Sequence, residues 1–161
     1  MKKSFKKIDR EFRQHWKNYV LQSLLATFSI FIVLYFLSLQ HAVIIASIGA
    51  TAFIIFAMPG TVTAKPRNVM GGHTTGLIIG SLCSMIPHPT VFYAALSYSL
   101  AVGLAIFIMV VTDTEHPPAA ATALGFAISG FSMKTAIALI LSIVVLSLVH
   151  YFFRPHLKDL T

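Results

Sequence analysis

The stretch V111-TDTEHPPAAATALG-F126 sets the problem, because two carboxylates, a histidine and two consecutive prolines interrupt a run of small apolar residues. Inside a helix, paired prolines remove backbone donors and clash with the preceding turn; in the first turn, the fixed φ is pre-organised and the missing N–H is no loss. The stretch therefore predicts a helix opening at Pro117 or Pro118 and running through Ala119–Gly130, with Thr114 or Glu115 near its cap. Its residues are almost all small, which suits a helix enclosed by neighbours rather than one facing lipid.

Outward from this point the chain is apolar. Of 161 residues, 57% are hydrophobic and 11% charged; a soluble domain carries roughly 25% charged residues. Six apolar segments are separated by polar or turn residues: Tyr19–Leu39, Ala42–Met58, Thr74–Ile86, Val91–Val111, Ala119–Phe131 and Thr135–Phe153. Crossing a hydrocarbon core of about 30 Å takes about 20 helical residues. The third and fifth segments are too short to do so without their polar flanks. The fold class expected is all-α, a polytopic membrane helix bundle of four long and two short helices. No stretch alternates with period two over the length of a barrel strand.

Charge orients the bundle. Seven of the twelve Lys and Arg lie in residues 1–18, two more are Lys65 and Arg67, and two are Arg154 and Lys158, leaving Lys134 alone between them. Basic loops stay in the cytoplasm. This predicts a basic cytoplasmic arm over 1–18, a transmembrane domain over 19–153 and a cytoplasmic tail over 154–161, in the cell membrane with both termini inside. Whether the short segments cross or re-enter leaves that count unchanged; it alters only the side faced by Asp113 and Glu115. The first apolar run is too long for a signal peptide and reads as a retained helix. No basic stripe points to nucleic acid. A single cysteine, Cys83, excludes an internal disulfide and a thiolate metal cluster.

The two short segments resemble each other. Each follows a long apolar segment and a polar loop, and each carries small residues four apart, Gly76 with Gly80 and Gly125 with Ser129. Paired short, Gly/Pro-interrupted segments point to a transporter's binding site. The third is read as opening at Gly71-Gly72, with His73, Thr74 and Thr75 in its first turn and Lys65, Arg67 and Asn68 just ahead. Two helix N-termini, one at Gly72 and one at Pro117-Pro118, together with an arginine fork suit a small anion. Arg67, His73 and His116 are expected to converge on one polar cavity, where a histidine carries a coupled proton. Asp113, Glu115, His116 and His73 are alternatively ligands for a divalent cation, although their spacing matches no metal motif. No nucleophile with a paired acid and no nucleotide loop is present, which argues against an enzyme, and no cofactor is implied.

Three stretches, Gly49–Pro59 (GATAFIIFAMP), Lys65–Gly76 (KPRNVMGGHTTG) and Glu115–Leu124 (EHPPAAATAL), resemble the HPP family of integral membrane proteins, named for the His-Pro-Pro that here is residues 116–118. The resemblance places the family pattern on Gly49, Pro59, Pro66, Arg67, Asn68, Gly72, His73, Gly76, His116, Pro117 and Pro118. It implies a compact bundle, usually described with four spans, and a lead towards nitrite, with which plant and cyanobacterial members are associated. Where relatives often carry glycine after the prolines, this chain has Ala119-Ala120-Ala121, a less open turn. The function expected is a transporter or channel for a small inorganic anion. The alternatives are a metal carrier and a small membrane subunit that stabilises a partner. One protomer of this size also points to a homo-oligomer.

Overall fold

A computed structural model describes the backbone of residues 2–37 and 42–160 and the side chains of 16–33 and 43–160. Six α-helices follow in order: α1 Lys2–Leu37, α2 Ala42–Ala57, α3 Pro66–Cys83, α4 Val91–Val111, α5 Pro117–Ser129 and α6 Met133–Phe153. Short 3-10 turns at Val62–Ala64 and Arg154–His156 complete the described elements, among which there is no strand. The all-helical expectation holds. The last residues of the predicted first segment, 38 and 39, lie outside the described residues, as do His41 and the side chain of His15.

The basic arm and the first apolar segment form one helix, so residue 18 marks a change of composition and not of structure. The helix of the opening stretch starts at Pro117 and has 13 residues. The third helix differs from its reading. It begins at Pro66 and has 18 residues, so Gly71 and Gly72 are interior and His73 lies in its second turn. Hydropathy reports what a helix buries, not where it begins. Pro66 supplies the same pre-organised start that Pro117 supplies to α5, and the polar Arg67-Asn68 turn remains helical. The two shortest helices are α2, with 16 residues, and α5, with 13.

The chain runs up and down. Arg67 Nη1 donates to Asp113 Oδ2 at 2.9 Å, placing the start of α3 beside the end of α4. Ser97 Oγ donates to the Cys83 carbonyl at 2.8 Å, tying the end of α3 to the first half of α4. Leu160 N donates to Ala57 O at 2.9 Å, which brings the tail to the end of α2. One face therefore carries the end of α2, the starts of α3 and α5 and the ends of α4 and α6. Asp113 and Glu115 lie on the Lys65–Arg67 face.

Two packing modes build the bundle. Large side chains join α1, α2 and α6: Val33, Ile44, Ile48, Ile55, Leu139, Ile143 and Leu146 are buried in one cluster, which Val69 and Phe126 enter from α3 and α5. The parallel pair α3 and α5 meets instead through small residues. A Cβ at Gly76 would fall 2.5 Å from Ala119 O, and one at Gly80 would collide with the Ala123 carbonyl. Such closeness is how helices associate in lipid, where side-chain packing takes over from the hydrophobic effect. The pair of small residues on α5 does a different job: Gly125 accommodates Ile44 and Val43 of α2.

The outer surface is apolar. Leu100, Leu104, Phe107, Val110 and Val111 of α4 and Ile137, Leu141 and Leu148 of α6 are exposed. The stretches Val91–Val111 and Met133–His156 are each long and apolar enough to cross a membrane. Monomeric soluble proteins rarely expose an apolar patch beyond a few hundred Å², so this surface needs lipid.

Candidate functional site: a buried histidine–hydroxyl chain

Three helices bring five polar side chains together below the loop face. Ser47 and Thr51 lie one turn apart on α2, His73 is on α3, Thr122 is on α5 and His116 precedes Pro117 at the head of α5. All five are fully buried, at 0% exposure. Thr51 and His73 stand six and seven residues inside their helix ends, about 9–10 Å deep at 1.5 Å per residue.

The contacts form one chain. His116 Nδ1–H donates to the Thr63 carbonyl at 2.8 Å. His116 Nε2 lies 2.9 Å from Thr51 Oγ1, and His73 Nε2 lies 2.8 Å from the same oxygen. The other nitrogen of His73 lies 2.8 Å from Thr122 Oγ1, which is 2.8 Å from Ser47 Oγ. Ser47 then donates to the Pro118 carbonyl at 2.6 Å. The two rings are tilted 56° to one another with centroids 5.0 Å apart. Buried polar groups in so apolar a setting must be paired, because an unmade bond costs about 1–3 kcal/mol.

The expected cavity is met only in part. His73 and His116 are together, but Arg67 is not with them. Its side chain is 65% exposed and ion-paired with Asp113, and it also donates to Thr112 O at 3.1 Å. Lys65 lines a separate cleft of about 480 Å³ with Pro66, His150, Tyr151, Arg154 and Pro155. Asn68 is buried and donates to the Glu115 carbonyl at 3.1 Å. Thr74 is exposed. Gly72 backs onto the head of α5 rather than onto open space: a Cβ there would lie 2.7 Å from the His116 Cβ and 3.2 Å from that of Ala119.

The helix ends also differ from expectation. At α5, Pro117 and Pro118 have no N–H, and Ala119 N donates to His116 O at 2.8 Å. The first turn is therefore poor in free donors for an anion. At α3, the donors of Asn68 and Val69 are taken by Lys65 O. For the cation alternative, Asp113 faces Arg67 instead of the histidines, and no group of three His, Cys, Asp or Glu side chains converges among the described residues.

Glu115 and His116 line a cleft of about 280 Å³ with Ile106, Met109, Val110, Pro117 and Ala120. It lies between α4 and the head of α5 and brings the outer wall of the site close to the lipid side of the bundle.

Ser47, Thr51, Thr63 and Thr122 are site residues beyond those expected from the sequence. A signal was available for two of them: Ser47 and Thr51 are four apart on a helix otherwise made of apolar residues and glycine, and residues four apart share a face. Thr63 contributes only its carbonyl, which no side-chain pattern reveals.

These features define a membrane helix bundle in which five buried polar side chains, two of them histidines, are gathered at the joint of three helices. A family model described as HPP, transmembrane region, matches residues 11–155, and the chain belongs to this family. Two Dictyostelium discoideum proteins, each described as a transmembrane protein, are similar in part: one is 39% identical over 88 residues and the other 37% identical over 81 residues. These matches cover 55% and 50% of this chain but only 31% and 26% of the relatives, so the chain spans less than a third of their length. No solved structure matches.

Proposed function

We propose that the protein is a multi-pass carrier or channel for a small inorganic anion, with both termini in the cytoplasm and His73, Thr51 and His116 in its path. One observation carries the reading: five polar side chains are buried together, beneath a basic face, in a bundle whose exterior is apolar. Intramembrane polar and ionisable groups are costly and mark solute or ion pathways. The face above them holds Lys65, Arg67 and Arg154, and the cleft lined by Lys65, His150 and Arg154 draws anions towards the bundle. Arg67 acts at the entrance rather than in the buried site. Nitrite is the first candidate because of the family resemblance.

The test is flux into liposomes holding the purified protein alone, for nitrite, nitrate, formate and chloride. Nitrite influx above protein-free liposomes supports the reading; no flux of any of the four overturns it. A second reading, a non-transporting membrane subunit, is favoured by the fact that every ring nitrogen of His73 and His116 lies within hydrogen-bond distance of a group of the chain itself. In that case the network fastens three helices, and the liposomes show no flux.

A further inference from the structure

We propose that His73, Thr51 and His116 form a binding site for a single excess proton, shared between the two imidazoles across the Thr51 hydroxyl. Its link to transport rests on the carrier reading, whereas the proton site itself is tested without flux.

The donors and acceptors of the chain do not balance. The chain has six contacts and ends on a carbonyl at each side, Thr63 O and Pro118 O. Carbonyls only accept, so all protons must come from within. Two neutral imidazoles and three hydroxyls hold one proton each, five for six contacts. Whatever tautomers are chosen, at least one contact between two acceptors lacks its hydrogen, and a second does whenever Thr51 donates to Ser47 O instead. Directing Ser47 towards Pro118 O and Thr122 towards Ser47 makes His73 donate from Nδ1. Both Nε2 atoms then face Thr51, which has a single hydrogen. Giving His73 the other tautomer moves the gap to the Thr122–Ser47–Pro118 segment. One added proton closes the chain from end to end.

The site does not take two. A second imidazolium would sit at a centroid distance of 5.0 Å from the first, both fully buried, and like charges at that range repel strongly. The Thr51 hydroxyl has a further acceptor in Ser47 O, at 3.0 Å, which the doubly charged pair would use, but one neutral hydrogen bond does not offset the repulsion of two buried like charges.

The surrounding charges leave the pair to itself. Val43–Ala57 of α2 has no ionisable side chain, and the only ones on α4 are Tyr93 and Tyr98, both in the half away from the loop face. Arg67 and Asp113 neutralise each other at the surface. Lys65, His150 and Arg154 line their own cleft. Lys134 is at the opposite end of α6. Glu115 shares the α4–α5 cleft wall with His116, and no carboxylate is hydrogen-bonded to either ring among the described residues.

Transfer along the site balances simply. His73 Nε2 gives its hydrogen to Thr51 Oγ1 as Thr51 gives its own to His116 Nε2. One N–H and one O–H break, one of each forms, and the charge moves from one ring to the other.

The test uses the full chain in lipid nanodiscs with ¹⁵N-labelled histidine, followed by NMR over roughly pH 4 to 9, the span around histidine titration. His73→Gln and His116→Gln identify the two signals among the seven histidines. The expected result is uptake of one proton by the pair, with both rings' signals moving in one step. Thr51→Ser keeps this behaviour, and Thr51→Val uncouples the rings. Uptake of no proton or of two by the wild type overturns the proposal, as does coupled titration in Thr51→Val. Absence of anion flux with a shared proton intact removes only the carrier reading.

Discussion

Gly72 and His116 are in contact across 44 residues of sequence: a Cβ on the glycine would stand 2.7 Å from the histidine's own Cβ. The glycine of one motif is therefore the seat of the histidine of the other. Gly76 and Gly80 continue the same stripe, so α3 and α5 lie closer than any pair with side chains between them allows.

Gly76→Ala should lower stability by about 1–3 kcal/mol, the range for forcing extra volume into a packed interior. The neighbour is the Ala119 carbonyl, which belongs to a helix backbone and cannot rotate away. Gly103, with nothing within 4 Å of its position, is the control, and its alanine variant should be neutral or slightly stabilising. Thermal unfolding in a fixed detergent measures both.

Thr51→Val keeps the shape and removes the hydroxyl shared by the two histidines. It leaves two ring nitrogens without partners and should cost about 1–3 kcal/mol. Thr51→Ser should recover most of this. Equal stability of the valine and serine variants would show that the hydroxyl carries no weight in the fold.

Arg67 pairs with Asp113 on the exposed face, and exposed ion pairs contribute about 0–1 kcal/mol. Arg67→Ala should unfold almost as the wild type does. If Arg67 draws the anion, the same variant loses most nitrite flux at matched protein amounts, Arg67→Lys is intermediate, and Asp113→Asn lowers the nitrite concentration for half-maximal flux. Asn suits the positive φ of 54° at residue 113 as well as Asp does. Wild-type flux in Arg67→Ala would remove the arginine from the path.

Gln22 ties the tail to the bundle. Its Nε2 donates to Phe56 O and, at 2.8 Å, to Lys158 O, while its Oε1 accepts from Lys158 N at 3.2 Å. Gln22→Leu should cost about 1–3 kcal/mol by leaving these groups unpaired. It should also speed amide exchange at Lys158 and Leu160 more than in the middle of α6. Unchanged exchange at both amides would separate Gln22 from the docking of the tail.

Reporter fusions at Met1 and Thr161 should both report the cytoplasmic side. Eleven of the twelve basic residues precede residue 68 or follow residue 153, and basic segments flanking spans resist translocation. A reporter exposed on the outer side at either end would reverse the assignment of the loop face.

Short-range rules made part of this molecule readable from its residues alone. Paired prolines permit only a helix start, so the head of α5 was legible at Pro117. A chain with 57% hydrophobic and 11% charged residues cannot cover a water-facing surface, and in lipid the backbone must satisfy itself, so the all-helical bundle was legible too. The parity of the turns and the basic residues then put Asp113 with Lys65 if every segment crosses, and the Arg67–Asp113 contact realises that arrangement. Tertiary structure decided the rest, because it depends on which faces meet. Gly71-Gly72 reads as a break in one dimension; in three it is a fitted surface for Thr114 and His116. Arg67 and His73 are six residues apart on one helix, a separation that turns them to different sides, so the arginine meets Asp113 while the histidine meets Thr51. The partners of the histidines are hydroxyls and a carbonyl, groups whose chemistry is common everywhere in the chain. Only the joining of α2, α3 and α5 singles them out.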